Sequence, residues 1–304
     1  MNAIVGAQLF HAIRPSMPGW AGILVIAAST LLITVFGYRI VHAYERFAWV
    51  PCLAVFLVVL GLFARSGNFD PGARMATASS SESESDPGGP TAAGILSFAA
   101  AVFGFATGWC ALAADYTVYL PTRTARAPVF LWTFAGLFLP LCFTELLGAA
   151  VATALPAHAA YRAAYAEAHV GGLLAHVLVP PEAREGAAAH FGEFCVVVLA
   201  LSIVAGNCPN SYSVSLSLQA AFGTEAGAGS SRRWLLRVPR FVWVVAATAA
   251  YVAVAVAGYA HFEEALENFM LLVGYWLSVV SSLGVTVYPL YRVSGAHFFV
   301  DRGF

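Results

Sequence analysis

The sequence predicts an all-α integral membrane protein with several membrane-spanning helices. Of its 304 residues, 60% are hydrophobic and only 10% are charged, and the mean hydropathy is +0.76. A soluble domain carries charge on about a quarter of its residues, so the apolar surface of this chain is expected to lie in lipid. The formal net charge of −1 provides no basic surface, and a nucleic-acid partner is therefore not expected.

Long apolar stretches predict the positions of the spans, because about 20 residues are needed to cross the hydrocarbon core. The predicted full spans are 20–38, 47–64, 93–118, 128–155, 191–222, 238–260 and 267–291. A shorter apolar segment at 1–13 is typical of the end of another span. Nothing in the composition marks a second domain, so 1–304 is expected to form one transmembrane domain.

Arginine occurs mainly in alternate connections between these spans, at 39–46, 123–126 and 232–240. Arginine-rich connections tend to stay in the cytoplasm, which predicts that these three are cytoplasmic. The other side then carries 66–92, whose SSSESESDPGG stretch predicts a disordered extracellular loop. It also carries the Ala-rich residues 157–186, for which a helix lying at the membrane interface is an interpretation.

The stretch SIVAGNCPNSYSVS brings polar residues into one of the most apolar spans. Asn207 and Asn210 share a helix face, and Pro209 leaves the carbonyl one turn earlier without its intrahelical donor. Amides beside an open carbonyl supply the donors and acceptors that a planar heterocycle needs, which favours a ligand-facing role for the two asparagines. Packing between helices is the alternative, and it is the favoured interpretation for Ser213 and Ser217.

A second stretch, GFATGWCALAADYTVYLP, interrupts the span at 93–118. Gly104 and Gly108 weaken the helix directly before Trp109. Secondary transporters commonly bind substrate where a helix is broken, and an aromatic ring that stacks on a base contributes about 1–3 kcal/mol. Anchoring in lipid is the alternative for Trp109. Asp115 is interpreted as a structural residue.

Four other polar positions give weaker signals from spacing alone. Asn2 and Gln8 are amides in the short first segment. Glu45 lies beside Arg46 between two spans, and a glutamate in that position is more commonly a solvated loop residue than part of a site. Glu145 is a lone carboxylate inside a span, and such residues often belong to proton pathways.

No motif indicates an enzyme, a metal site or a cofactor. The five cysteines lie singly in apolar stretches, without the Cys/His spacing of zinc ligands, and no nucleophile is paired with a base. The remaining alternative to a transporter is a membrane protein that does not transport, or a partner subunit, with the same set of helices as a transporter.

Six segments resemble the fungal purine-cytosine permeases of the nucleobase–cation symport family. They are NAIVGAQL, FGYRIVHAYERFAWVP, GWCALAADYTVYLP, LALSIVAGNCPNSYSVSLSLQ, VPRFVW and HFEEALENFMLLVGYW. The resemblance covers most of the chain in the same order. It implies a leucine-transporter-like helix bundle with a five-plus-five inverted repeat. It also implies proton-coupled uptake of cytosine, adenine, guanine or hypoxanthine across the plasma membrane.

The resemblance also implies roles for individual residues. The implied substrate-binding residues are Asn2, Glu45, Trp109, Asn207 and Asn210. Trp109 matches the stacking aromatic of a broken sixth helix, and Glu45 is also, with Glu145, a candidate for proton coupling. Gly206 departs from the family pattern, which usually has asparagine or a similar residue at that position.

Measured against that family, the chain is expected to be incomplete. It would begin within the third of twelve helices and end after the tenth, so that one of the two broken helices at the site would be absent. The chain by itself is therefore expected not to transport, because rocking requires both halves of the repeat.

Overall fold

A computed structural model describes residues 1–72, 92–109, 120–121, 123–180, 186–223 and 238–293. The helices are α1 (Asn2–Ile13), α2 (Gly19–Val35), α3 (Tyr38–Ser66), α4 (Ala92–Thr107), α5 (Arg126–Ala152), α6 (Ala154–Ala157), α7 (Ala159–Leu178), α8 (Ala187–Gly223), α9 (Arg240–Ala257) and α10 (Phe262–Val293). A 3₁₀ turn, Tyr259–His261, joins α9 to α10. The described residues contain no strand, which confirms the predicted all-α class.

Four of the described helices are long and apolar enough to cross a membrane. They cover Arg39–Ser66, Arg126–Ala157, Ala187–Gln219 and Arg240–Ala257. The predicted spans agree with the helices to within about five residues, with the exception of α3 and of the span at 93–118: α4 ends at Thr107, and residues 110–118 of that span lie outside the described residues. Most of the acidic loop predicted at 66–92 lies outside the described residues, as does Asp115.

Helix α3 begins at Tyr38, well before the span predicted at residue 47. Gly37, whose φ is 91°, turns the chain from α2 directly into α3. The polar residues that follow Gly37 are compatible with a helical backbone. The length of the apolar stretch therefore underestimated the length of α3. Glu45 therefore lies two turns inside α3 and not in a connection between helices.

Helix α8 continues without interruption through Pro209 and places the whole polar stretch inside one helix of 37 residues. Helix α7, in contrast, is bent in its middle, where Ala168 and His169 leave helical geometry and His169 has a φ of 49°. A side chain at Gly172 would collide with the carbonyl of Ala164, so the two halves of α7 fold against each other at this glycine.

The chain divides into two compact units. The first comprises Met1–Ser83 and Tyr119–Phe262, and the second comprises Glu84–Val118 and Glu263–Phe304. In the first unit, α1 packs against α2, α7 and α8, and α8 also packs against α2, α3 and α9. In the second unit, α4 approaches α10 closely, since a Cβ on Gly274 would lie 3.4 Å from the Cα of Gly104.

Arg240, at the start of α9, contacts both α2 and α8. Its Nη2 donates to the carbonyl of Thr34, near the end of α2, at 3.3 Å. Its Cζ lies 4.9 Å from the ring centroid of Tyr212, a buried residue of α8. A cation stabilises both the carbonyl end of a helix and an aromatic face. Arg240 therefore holds three helices of the first unit together at one end.

Replacing Arg240 with alanine is expected to lower the free energy of unfolding by about 1–3 kcal/mol, because a charged hydrogen bond and a cation–π contact are both lost. Arg240→Lys should recover only part of this, since an ammonium cannot stack as a planar guanidinium does. The measurement is the melting temperature of the purified protein in detergent. Arg65→Ala, at an exposed position near the end of α3, is the control; an equally small shift for both variants would contradict the prediction.

Candidate functional site

Two of the predicted site amides, on different helices, lie near Gly206. The Asn210 side chain donates from Nδ2 to the carbonyl of Gly206 at 3.0 Å. Asn2, in the first turn of α1, brings its own Nδ2 to the same place, 3.9 Å from the position that a Cβ on Gly206 would occupy. Both asparagines are exposed, and Asn207 is half-buried beside them. The absent side chain of Gly206 thus leaves a space beside the Asn2 carboxamide, one helical turn from Asn210.

The two faces of α8 differ sharply in burial. Cys208, Tyr212 and Ser215 are buried, whereas Asn210 and Ser217 are exposed. Because successive helical residues are about 100° apart, Cys208 points almost opposite to Asn210. One face of α8 therefore presents amides and small residues, and the other packs into the first unit.

Glu45 is associated with the buried face of α8. Its carboxylate lies within electrostatic range of the Cys208 thiol, and Thr34 of α2 contacts the same thiol. Cys208 and Thr34 are both fully buried, and Glu45 is half-buried. The structure thus brings Asn2 to the Asn210 face and Glu45 to the Cys208 face of the same helix.

Trp109 belongs to the second unit. Helix α4 ends at Thr107, and Gly108 and Trp109 form a 3₁₀ turn immediately after it, with the Trp109 side chain half-buried. The predicted interruption before Trp109 is therefore present. The residues that would continue the helix, 110–119, lie outside the described part of the chain.

Glu145 is half-buried in the middle of α5. The residue before it, Thr144, lines a cavity of 320 Å³ between α3, α5 and α7, whose walls are almost entirely apolar. The Thr144 hydroxyl donates to the carbonyl of Pro140 at 2.9 Å and so adds little polarity to the cavity. This cavity does not include any of the predicted site residues, and its lining does not suit a polar ligand.

Sequence inspection gave no role to several buried polar residues of the first unit. Gln8 is fully buried, and neither of its amide atoms has a hydrogen-bond partner among the described residues. Thr30 and Thr34 of α2 are equally buried, and Tyr251 of α9 lies beside Thr30. The spacing of Thr30 and Thr34, four residues apart in an apolar helix, was the signal available in the sequence.

A metal site is not evident in the part of the chain that the structure describes. No three His, Cys, Asp or Glu side chains in it come close enough to hold an ion. The chemistry that the arrangement offers is hydrogen bonding by the carboxamides near Gly206 and a carboxylate within electrostatic range of a buried thiol.

Comparison with known proteins gives one consistent family. Residues 1–278 match the family described as permeases for cytosine/purines, uracil, thiamine and allantoin. The purine-cytosine permease fcyB of Emericella nidulans is 43% identical over 304 residues, which are 100% of this chain and 53% of that protein. The purine-cytosine permease FCY2 of Saccharomyces cerevisiae is 38% identical over 99% of this chain and 52% of its own length.

A more distant relative is the vitamin B6 transporter TPN1 of Saccharomyces cerevisiae, which is 29% identical over 92% of this chain and 44% of its own length. No solved structure matches the chain significantly. The chain thus spans about half the length of the curated relatives that it matches.

Proposed function

Since this chain belongs to the family of permeases for cytosine/purines, uracil, thiamine and allantoin, we propose that it forms part of a proton-coupled symporter of purine bases and cytosine in the plasma membrane. It is a multi-pass membrane protein of a transporter family and not an enzyme. The observation that carries the proposal is the approach of the Asn2 carboxamide of α1 to Gly206 of α8, whose carbonyl accepts from the Asn210 carboxamide. The names of two similar relatives, both purine-cytosine permeases, support nucleobases as the substrates.

Carboxamides suit this substrate class because each offers a donor and an acceptor side by side. The edges of cytosine and the purines present the same two functions, and asparagine pairs with adenine through two hydrogen bonds in other settings. Asn210 commits one amide hydrogen to Gly206, which leaves its second hydrogen and its oxygen for a base. Asn2 and Asn207 would contact the remaining polar edge, and Trp109 is the proposed stacking residue from its place in the sequence.

Glu45 is better suited to carrying the proton than to touching the base. Helix α3 packs against α8, and the Glu45 carboxylate is within electrostatic range of Cys208, which lies on the face of α8 turned away from Asn210. A carboxylate among buried helices is unfavourable when charged, so protonation and deprotonation of Glu45 would change how tightly α3 packs against α8. Glu145, which lies away from this cluster on α5, is the second candidate for proton coupling.

Uptake by cells that lack their own purine-cytosine permeases tests the proposed function. The complete open reading frame that contains this chain would be expressed, and uptake of radiolabelled cytosine and adenine would be measured with and without a protonophore. We expect saturable uptake that acidic medium stimulates and the protonophore abolishes. Absence of uptake of either base by a protein that reaches the plasma membrane would contradict the proposal, and uptake insensitive to the protonophore would contradict its proton coupling.

The space at Gly206 is expected to matter for binding and not for folding. In Gly206→Ala the new Cβ would have its nearest neighbour, the Nδ2 of Asn2, at 3.9 Å. Helix propensity favours alanine by up to about 1 kcal/mol, so the melting temperature should not fall, while the KM for cytosine should rise because the methyl occupies the space beside the Asn2 amide.

The matched control for this substitution is Gly22→Ala in α2. There the Cβ would lie 2.7 Å from the Cα of Ala7, and a backbone cannot yield as a flexible side chain can. This variant should lose thermal stability. Gly206→Ala with an unchanged KM for every nucleobase would show that the space is not used by the substrate.

A further inference from the structure

The cavity between α3, α5 and α7 lies in the first unit, apart from the proposed substrate site. Its volume of 320 Å³ is within the range of small-molecule sites, about 300–1,000 Å³. The walls are almost entirely apolar, and the Thr144 hydroxyl in them donates to its own helix. Three of the wall residues, Val59, Leu147 and Leu173, also belong to the hydrophobic core of this unit. Such a lining suits hydrocarbon, because a polar ligand would lose its hydrogen bonds there.

The position and length of the cavity match one leaflet of a membrane. Helix α5 is part of the segment Arg126–Ala157, which is long and apolar enough to cross a membrane. The wall on α5 runs from Thr144 to Ala152, near the end of this segment, and at 1.5 Å per residue this is about 12 Å of helix. One leaflet of the hydrocarbon core is about 15 Å thick. The cavity therefore has the depth that an acyl chain occupies in one leaflet.

The cavity opens on the outer surface of α5 at Gly148. This residue lines the cavity and is itself exposed. A Cβ on Gly148 would have no neighbouring atom within 4 Å. The adjacent Leu146 is a large apolar residue that is also exposed. Because an apolar surface of a membrane-spanning helix faces lipid, hydrocarbon chains are what reach this opening.

A cation lies at the end of the cavity where the spanning segment ends. The carbonyl of Leu155, a wall residue in α6, accepts from Nη1 of Arg162 at 3.5 Å. The carbonyl of Pro156 accepts from the same nitrogen at 2.6 Å. Arg162 is exposed, and its Nε and Nη2 donate to neither carbonyl. A guanidinium binds phosphate through parallel N–H donors, so Arg162 is suited to a phosphate at the membrane surface.

We propose that this cavity binds one acyl chain of a membrane phospholipid, with the phosphate of the same lipid held by Arg162. The apolar walls and their depth fit the chain, the opening at Gly148 admits it from the bilayer, and the charge of the guanidinium complements the phosphate. The site is separate from the amides near Gly206. The bound lipid is not a substrate, and it stabilises the packing of α3, α5 and α7.

The test uses the complete protein that contains this chain, purified in detergent and depleted of lipid. A ligand that binds the folded state raises the melting temperature as its concentration increases. Dioleoylphosphatidylcholine would be compared with dioleoylglycerol, which has the same chains but no phosphate. We expect the phospholipid to produce the same rise at about tenfold lower concentration, because only the phosphate forms charged hydrogen bonds with Arg162.

Gly148→Leu is the first variant, because its side chain would occupy the cavity. It should fold normally and lose most of the rise that dioleoylphosphatidylcholine produces. Gly136→Leu is the matched control, since Gly136 is also exposed on α5 with no atom within 4 Å of its Cβ position, but is not part of the wall. This variant should respond as the wild type does. Arg162→Gln should respond equally to the two lipids.

An equal rise in wild type and Gly148→Leu would overturn the inference. A lower melting temperature without lipid in Gly148→Leu than in Gly136→Leu would also overturn it, because another part of the complete protein would then fill the cavity. If Arg162→Gln keeps the preference for dioleoylphosphatidylcholine, Arg162 does not hold the phosphate and the proposed lipid site is wrong. None of these measurements depends on transport, so they are independent of the proposed function.

Discussion

Uptake of cytosine and adenine is expected to fall roughly five- to a hundredfold when Asn210 is replaced by alanine in the complete transporter. Removing the amide leaves the polar edge of the bound base without its partner, which is unfavourable by about 1–3 kcal/mol, and 1.4 kcal/mol corresponds to a factor of ten. The Asn210 side chain already points to Gly206, where Asn2 also arrives. Radiolabelled uptake at several base concentrations measures the effect.

Ser217→Ala is the matched control for Asn210→Ala. Ser217 lies two turns further along α8 on the same exposed face, and it is outside the group of amides at Gly206. Its replacement should change uptake little, and both variants should reach the membrane in equal amounts. Equal activity of the two variants would remove the amides of α8 from the binding site.

Replacing Glu45 with glutamine is expected to uncouple transport from the proton gradient. Glutamine keeps the size and hydrogen-bonding shape of the side chain but cannot bind and release a proton. Net uptake should fall at least tenfold and lose its dependence on external pH, while exchange of labelled for unlabelled cytosine in preloaded vesicles should persist. This combination distinguishes a lost proton site from a lost substrate contact, since the latter would also abolish exchange.

Glu145→Gln provides the comparison, because Glu145 is the other candidate for proton coupling and lies on α5, away from the Cys208 cluster. Uptake by this variant should retain its pH dependence. If Glu145→Gln loses the dependence and Glu45→Gln keeps it, the two assignments are exchanged. If Glu45→Gln loses exchange as well as net uptake, Glu45 binds the base directly.

The sequence alone was sufficient for the class and the approximate extents of the helices. Apolar length and charge are local properties, and the predicted spans match α2, α5, α8, α9 and α10 to within a few residues. The end of α4 before Trp109 followed from two glycines, which weaken a helix wherever they occur. The start of α3 was missed for a related reason: apolar length marks the part of a helix in lipid, whereas α3 extends beyond it through polar residues as far as Gly37.

Only the tertiary structure decided which polar residues lie together. Asn210 reaches Gly206 within one turn of the same helix, but Asn2 is more than two hundred residues away, and nothing in its local sequence specifies that it approaches Gly206. The sequence likewise could not assign Glu45 to the Cys208 face of α8, pair Tyr251 with Thr30, or join Arg240 to Thr34. These contacts depend on the rotation of each helix about its axis, which is fixed when small residues such as Gly22 and Ala7 let the backbones approach and the apolar surfaces interlock. A hydrophobic pattern determines that a helix is buried, but close packing against its neighbours determines which of its residues meet.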